Sequence, residues 1–333
     1  SPLSVVSTTI WCAAIVAGKC TLLPPNRQSE TVRDIASKYP DTFVLEDTDL
    51  MAADPATSVP AIRSDQLVAI VFTSGSTGES TGHPKYWETI HGGALANRVS
   101  YGLGEGRINM LATVPPQHNW GLETSIQLPL IADIAISSET PLFPQDIADA
   151  LADLPRPRAI VSSPIHLESL LRSGIEGIEV DIILSATAPL SQQLASELET
   201  RFSARVNEVF GCSEAGSLAA RATATETLWH IAEPFRFEVL DDKVRISAPH
   251  LPEPVVLNDI VELVGESSFR WLGRDQDMIN IAGKRGSLAH LNHRLSRIPG
   301  VLDGVIFLPR EDSKRLAALV VAPGNASVRF SKE

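Results

Sequence analysis

The chain has 333 residues, 44% hydrophobic and 20% charged, a composition typical of a folded globular protein large enough for more than one domain. With 28 Lys and Arg and 40 Asp and Glu, the formal net charge is -12. This charge argues against a broad binding surface for nucleic acid or for an anionic membrane. An anionic ligand therefore needs a local site. The three cysteines are too few and too scattered for a disulfide framework or a CxxC metal site, and they favour the reducing cytoplasm.

The first elements predict an α/β core. Residues 3–17 are apolar but short, hold Ser and Thr and follow no basic segment, so we predict a buried core helix rather than a membrane span or signal peptide. Helices are predicted to start at Pro84 and after Ser163-Pro164, and a stripe at a spacing of four marks another, namely Leu190, Leu194, Leu198 and Phe202. The predicted strands are 67–72, 108–114, 159–162, 182–185 and 206–210. This alternation predicts strands covered by helices on both faces.

After about residue 226 the pattern changes to short strands around turns, which is typical of an antiparallel appendage. These strands are predicted at 235–240, 243–248, 260–264 and 268–272. A helix at 288–297 and strands at 301–308 and 316–321 then predict a small α+β domain. We therefore expect a large domain over residues 1–275, whose start is missing from the sequence, and an incomplete small domain over residues 276–333.

A loop of small hydroxyl residues and glycines follows the first buried strand, and Lys85 comes after it; the loop residues are Thr73, Ser74, Gly75, Ser76, Thr77 and Gly78. Such a loop supplies backbone N–H groups, hydroxyl donors and freedom for positive φ, which a protein needs to wrap a polyphosphate. Lys85 lies seven positions beyond Gly78, which excludes the GxxxxGK[ST] P-loop and with it a P-loop hydrolase. Taken alone, a loop of this kind is more often a flexible turn.

The loop with Pro84-Lys85 resembles the phosphate loop of the adenylate-forming superfamily, which includes acyl-CoA synthetases, peptide-synthetase adenylation domains and luciferases. Three further motifs resemble that family's YGxTE, Gly-Asp and GRxxDxI motifs in the same order, and these are Phe210-Gly211-Cys212-Ser213-Glu214, Asn258-Asp259 and Gly273-Arg274-Asp275-Gln276-Asp277-Met278-Ile279. Asn258 departs from the usual Gly, which puts the local turn in doubt.

A narrower resemblance is to the stand-alone AMP-ligases of aryl polyene and xanthomonadin-type pigment pathways. It rests on residues 113–118, 121–123, 184–190 and 281–285. This resemblance implies an aryl or unsaturated acid as substrate and a carrier-protein phosphopantetheine thiol as acceptor.

The superfamily resemblance implies that ATP and Mg²⁺ are bound. The loop at 73–78 and Lys85 would orient the β- and γ-phosphates, Ser213 would donate to the α-phosphate, and Glu214 would hold Mg²⁺. Further nucleotide contacts are implied at Ser185, Ala186, Thr187, Gly211 and Cys212, and ribose contacts at Asp259 and Arg274. The alternative for Glu214 is a solvated loop carboxylate, and without the resemblance Asp259 and Arg274 would more often be surface charges or members of an ordinary ion pair.

The same resemblance places His118 in the acyl pocket, moving between two half-reactions, and makes Asp277 the hinge of the small domain. A lone histidine is as readily a structural hydrogen-bonding group, so both interpretations of His118 stay open. His166 and the other histidines lack metal-ligand spacing and are predicted to be bystanders. The chain after Asp277 is too short to hold the family's adenylation lysine, and Lys314 and Lys332 are predicted to be surface charges.

These motifs predict a cytoplasmic ligase that uses Mg·ATP to convert a carboxylic acid to an acyl-adenylate and passes the acyl group to a thiol. Carrier protein is the first choice of acceptor and coenzyme A the alternative. An alternative of another class is a degenerate homologue that binds a nucleotide or acyl group without turnover. The intact loop, Glu214, Asp259 and Arg274 argue against that alternative, and the missing lysine leaves it open.

Overall fold

The computed structural model describes residues 3–43, 58–74, 80–240, 243–274, 278–281, 284–295, 298, 300–301, 303–309 and 315–322. The predictions for Gly75, Ser76, Thr77, Gly78, Asp277, Lys314 and Lys332 lie outside the described residues. The chain divides into two compact units, Ser1–Arg236 with Ser247–Val255 and Phe237–Ile246 with Val256–Glu333. The domain boundary predicted at 275/276 stays a prediction.

Helices of the first unit follow the chain in the order α1 (Leu3–Val16), α2 (Ser29–Lys38), α3 (Trp87–Ser100), α4 (Asn119–Leu122), α5 (Leu128–Ile131), α6 (Pro144–Ala152), α7 (Pro164–Arg172) and α8 (Gln192–Phe202). A π-helical turn, Glu123–Gln127, lies between α4 and α5. The predicted N-terminal helix is confirmed as α1, which buries Trp11 and Ile15 against the core. Within the described residues no helix has both the length and the apolar character to cross a membrane.

Strands of the first unit are β1 (Thr21–Leu23), β2 (Leu67–Ser74), β3 (Ser80–Tyr86), β4 (Ile108–Ala112), β5 (Ile134–Ile136), β6 (Arg158–Ser162), β7 (Ile182–Ser185), β8 (Arg205–Cys212), β9 (Gly216–Arg221) and β10 (Trp229–Ile231). The first three form a small sheet in the order β1-β2-β3, and the others lie side by side in the order β10-β9-β8-β7-β6-β4-β5. Strands β5, β4, β6, β7 and β8 are parallel, whereas β9 and β10 run antiparallel to their neighbours. The carboxyl ends of the parallel strands therefore meet at one edge of the sheet.

The helix predicted to start at Pro84 is wrong, because residues 80–86 form strand β3 and α3 begins at Trp87. Strand β3 pairs antiparallel with β2, with Pro84 opposite Ile70 and Lys85 opposite Ala69. Since β3 is at the edge of its sheet, the missing N–H of Pro84 is tolerated there. The segment after the glycine-rich loop thus turns back along β2.

Both faces of the parallel strands are covered, as the sequence predicts. On one face, Leu111, Ile160 and Ile183 pack with the buried stripe of α8, which is Leu194, Leu198 and Phe202, and Leu190 joins the same cluster. On the other face, Met110, Val161 and Leu184 pack with Tyr101, Trp120 and Leu128. Alternate residues of each strand serve opposite faces. The chain is therefore a mixed α/β protein with helix-covered strands.

The second unit has the antiparallel pattern predicted for it. Its strands and helix are β11 (Arg236–Leu240), β12 (Lys243–Ser247), β13 (Val255–Val256), β14 (Asp259–Val264), β15 (Ser268–Arg274), β16 (Met278–Ile281), β17 (Lys284–Ser287), α9 (Leu288–Leu295), β18 (Asp303–Phe307) and β19 (Ala317–Val321). Three hairpins pair β14 with β15, β16 with β17 and β18 with β19.

Candidate active site

Strands β2 and β3 are the described segments on either side of residues 75–79. The hydroxyl Oγ1 of Thr73 lies 3.0 Å from Nε2 of His83. His83 is half-buried, and desolvation lowers the pKa of its imidazole, although the nearby Glu214 carboxylate opposes that shift. A neutral imidazole thus bonds the first hydroxyl residue of the loop.

Lys85 lies on β3 with its side chain only 3% exposed. Its Nζ donates to the carbonyl oxygen of Ser213 at 2.6 Å and to that of Glu214 at 3.5 Å. These contacts join two motif segments that are 128 positions apart in the sequence. In this structure Lys85 therefore binds the backbone of the turn that carries Ser213 and Glu214, and its contact with phosphate stays a prediction.

The turn between β8 and β9 is tight and depends on glycine. A Cβ added to Gly211 would lie 2.4 Å from the carbonyl oxygen of Gly216. Gly216 has φ of 85°, in the left-handed region that only glycine adopts readily. Burial raises the pKa of the Cys212 thiol to about 12, which keeps it protonated and unreactive. The nucleotide contacts implied for Gly211 and Cys212 stay predictions.

Glu214 is exposed and Ser213 half-buried at the end of this turn. Among the described residues there is no group of three or more His, Cys, Asp or Glu able to enclose a metal ion. Mg²⁺ is commonly held by one or two carboxylates together with substrate phosphates and waters. A single accessible carboxylate such as Glu214 fits that kind of ion, and its contact with Mg²⁺ stays a prediction.

Ser185 ends β7, and Ala186 and Thr187 follow it; the nucleotide contacts implied for these three residues stay predictions. Ser185 and Ala186 are buried, whereas Thr187 is exposed and has φ of 76°. A β-branched residue in the left-handed region is strained by roughly 1–3 kcal/mol. This loop is anchored at its far end, where the N–H of Leu190 donates to Oε1 of Glu208 at 2.7 Å.

Replacing Thr187 with glycine is expected to raise the free energy of unfolding by about 0.5–1 kcal/mol, since relief of strain exceeds the entropic penalty of glycine in the unfolded chain. Urea unfolding measures the change. Thr225→Gly serves as the matched control, because Thr225 is exposed but outside the left-handed region, and it should lose stability. Equal losses in the two variants would contradict the strain at Thr187.

His118 is exposed and caps α4, where its Nδ1 accepts from the N–H of Trp120 at 3.3 Å. Partial desolvation lowers the pKa of its imidazole. This capping contact is the structural hydrogen bond that the sequence left open, and movement of His118 stays a prediction. His166 is within 3.2 Å of the hydroxyls of Thr113 and Ser163, so it is engaged in a polar cluster rather than isolated.

Asp259 and Arg274 lie in the second unit, opposite each other on β14 and β15. Oδ1 of Asp259 accepts from the indole N–H of Trp271 at 2.8 Å. This contact fixes one carboxylate oxygen. The ribose role of both residues stays a prediction.

Sequence patterns did not identify His83, Glu123 and Glu208 as site residues. His83 directly precedes Pro84-Lys85, and Glu123 ends one of the segments on which the AMP-ligase resemblance rests. Both residues were therefore weakly indicated by neighbouring motifs. No sequence motif indicates Glu208, because its contact with the N–H of Leu190 joins residues 18 positions apart.

The chain is similar to known proteins both by a family profile and by fold. A family profile described as "AMP-binding enzyme" matches residues 8–247. No curated protein matches the chain. Among solved structures, ATP-bound MatB from Rhodopseudomonas palustris is 18% identical with a TM-score of 0.71, over 96% of this chain and 72% of that one. The o-succinylbenzoate CoA synthetase MenE from Bacillus subtilis, in complex with the acyl-adenylate OSB-AMP, is 15% identical with a TM-score of 0.75, over 97% and 77%. At these identities the likeness shows a shared fold.

Proposed function

The chain belongs to the AMP-binding enzyme family and is an AMP-forming ligase, and we propose that it activates an aryl or unsaturated carboxylic acid and transfers it to the phosphopantetheine thiol of a carrier protein. The observation that carries the proposal is the contact of Lys85 with the carbonyls of Ser213 and Glu214. It joins the hairpin of the glycine-rich loop to the turn with the exposed carboxylate. Solved structures of similar fold hold ATP and an acyl-adenylate, which supports the proposal.

The chemistry requires phosphates to be held beside a carboxylate. A carboxylate resists attack by a thiol until its charge is removed, and ATP removes it by forming a mixed anhydride with AMP while pyrophosphate leaves. In our proposal the hydroxyl and N–H donors from Thr73 onward bind the β- and γ-phosphates, and Ser213 donates to the α-phosphate. Glu214 would hold Mg²⁺, which neutralises phosphate charge when bound.

Acid-dependent exchange of pyrophosphate into ATP tests this function. We expect exchange with at least one acid from a panel of benzoate, hydroxybenzoate, cinnamate and fatty acids. Binding of Mg·ATP without exchange for any acid would instead support the non-catalytic homologue. A preference for fatty acids would overturn the aryl or unsaturated substrate while keeping the ligase.

The acceptor is tested separately. A thioester assay compares free coenzyme A with phosphopantetheinylated carrier protein at equal thiol concentration. We expect faster transfer to the carrier protein, because the residues at 113–118 and 184–190 resemble AMP-ligases that use such carriers. Preference for coenzyme A would overturn this choice of acceptor.

Asp259→Asn is expected to weaken ATP binding by about tenfold, because the amide keeps an acceptor for Trp271 but loses the charge that receives two ribose hydroxyls. Isothermal titration calorimetry with Mg·ATP measures the dissociation constant. Glu262→Gln, on the same strand β14 and paired with the exposed Arg270, is the matched control and should leave it unchanged. Unchanged affinity in Asp259→Asn would contradict the ribose role.

A further inference from the structure

Glu123 is a buried carboxylate with no part in the chemistry above. It is 6% exposed and stands first in the π-helical turn Glu123–Gln127. Turns of this kind often mark functional sites, because the extra residue redirects a side chain. A buried carboxylate requires hydrogen bonds or a cation, since its desolvation otherwise costs several kcal/mol.

Both oxygens of Glu123 receive hydrogen bonds. Oε2 accepts from Oγ of Ser217 at 2.5 Å and, more weakly, from Nδ2 of Asn97 at 3.5 Å. Oε1 accepts from Nδ2 of Asn119 at 3.0 Å. Ser217 stands three positions after Glu214, so Glu123 bonds strand β9, which follows the turn that carries Ser213 and Glu214. A Cβ added to Gly216 would lie 2.5 Å from Oε1 of Glu123, which shows how closely the carboxylate approaches that turn.

Glu123 is also a counter-charge for Lys85. The Lys85 ammonium is buried, and burial lowers its pKa; among the charges that oppose this, Glu123 acts most strongly. Burial in turn raises the pKa of Glu123, and the Ser217 bond and Lys85 oppose that shift. Lys85 thus contacts the turn with Ser213 and Glu214, and Glu123 bonds Ser217 just after that turn while its charge opposes that of Lys85.

We propose that Glu123 is a positioning residue that fixes the turn at 213–216 through Ser217 and Lys85, so that Glu214 is presented to Mg·ATP. The inference rests on the proposed function and deepens it. It adds a third segment, from the π-helical turn, to the two motif segments already in contact. Glu123 itself touches neither phosphate nor metal in this proposal.

The test is Glu123→Gln, which keeps the shape of the side chain and removes its charge. We expect the KM for Mg·ATP in pyrophosphate exchange and the Mg·ATP dissociation constant to rise about tenfold, the lower end for residues that orient a metal ligand. Glu123→Asp should recover part of the loss because it restores the charge. Ser125→Ala is the matched control: the hydroxyl is buried in the same π-helical turn and has no hydrogen-bond partner among the described residues, so its removal should leave both constants unchanged.

A purely structural role predicts a different pattern. Glu123→Gln would then lower the melting temperature and the amount of active enzyme while the KM and dissociation constant for Mg·ATP stay at the wild-type values, and that result would overturn the proposal. If Glu123→Gln does not fold, Ser217→Ala breaks the same contact from the other side and should raise both constants about threefold; unchanged constants in that variant would also overturn it. Absence of acid-dependent exchange in the wild type would refute the proposed function, whereas calorimetry with Mg·ATP would still decide on Glu123.

Discussion

Replacing Arg221 with alanine is expected to lower the free energy of unfolding by about 3–5 kcal/mol, because the change leaves a buried carboxylate without its cation. Glu208 has a side chain only 3% exposed, and its Oε2 accepts from Nε and Nη2 of Arg221 at 2.9 and 2.7 Å. Arg221 also lies over the ring of Trp229, 4.3 Å from its centroid. Urea unfolding measures the loss.

The control is Arg172→Ala, which breaks a pair of similar length at the surface. Arg172 lies 2.9 Å from Glu197, but its side chain is 59% exposed, so a loss below about 1 kcal/mol is expected. If Arg221→Ala and Arg172→Ala lower the free energy of unfolding by similar amounts, the burial of the Glu208–Arg221 pair does not determine its contribution to stability. A double change, Glu208→Leu with Arg221→Met, should restore part of the stability because no unpaired charge remains.

Loss of Arg221 also affects the loop at 185–190, for which nucleotide contacts are proposed, since Glu208 accepts from Thr223 Oγ1 at 2.7 Å and from the N–H of Leu190. Leu190 ends the loop that begins at Ser185. Loss of Arg221 therefore removes the charge that holds Glu208 in place beneath this loop. We therefore expect Arg221→Ala both to lower the free energy of unfolding and to weaken the anchoring of the loop at 185–190.

The parallel strands could be predicted from sequence because strands buried on both faces are continuous apolar runs, whose ends are marked by polar residues. The run at 182–185 coincides with β7, and the apolar spacing of four at 190–202 coincides with the buried face of α8. Strand β3 could not be found this way, since Ser80–Tyr86 is polar and contains Pro84. Only pairing with β2 makes it a strand.

The order of the motifs predicted which segments carry the candidate site, but not how they are joined. The Lys85 contact with Ser213 spans 128 positions, and the Glu123 contact with Ser217 spans 94. Spacing along a chain carries no information on such contacts unless a motif already encodes them. The sequence therefore predicts a phosphate contact for Lys85, which follows the glycine-rich loop. Its contact with the turn at 213–214 can be found only from the folded structure.

Glu214→Gln is expected to reduce acid-dependent pyrophosphate exchange by roughly 10²–10³-fold, the scale for removing one group that stabilises transition-state charge. The amide retains the shape of the side chain but not the charge that is proposed to bind Mg²⁺. Because Glu214 is exposed, its replacement should leave the melting temperature close to that of the wild type. Loss of exchange therefore cannot be assigned to unfolding.

Two comparisons make this result specific to the metal. Glu139→Gln removes another exposed carboxylate of the first unit and should keep the wild-type rate of exchange. A rise in Mg²⁺ concentration should restore part of the exchange in Glu214→Gln, since a weakened site fills at higher concentration by mass action. Exchange at the wild-type rate in Glu214→Gln would remove Glu214 from the metal site. The contact between Lys85 and the turn would then serve to position Ser213 alone, whose proposed partner is the α-phosphate.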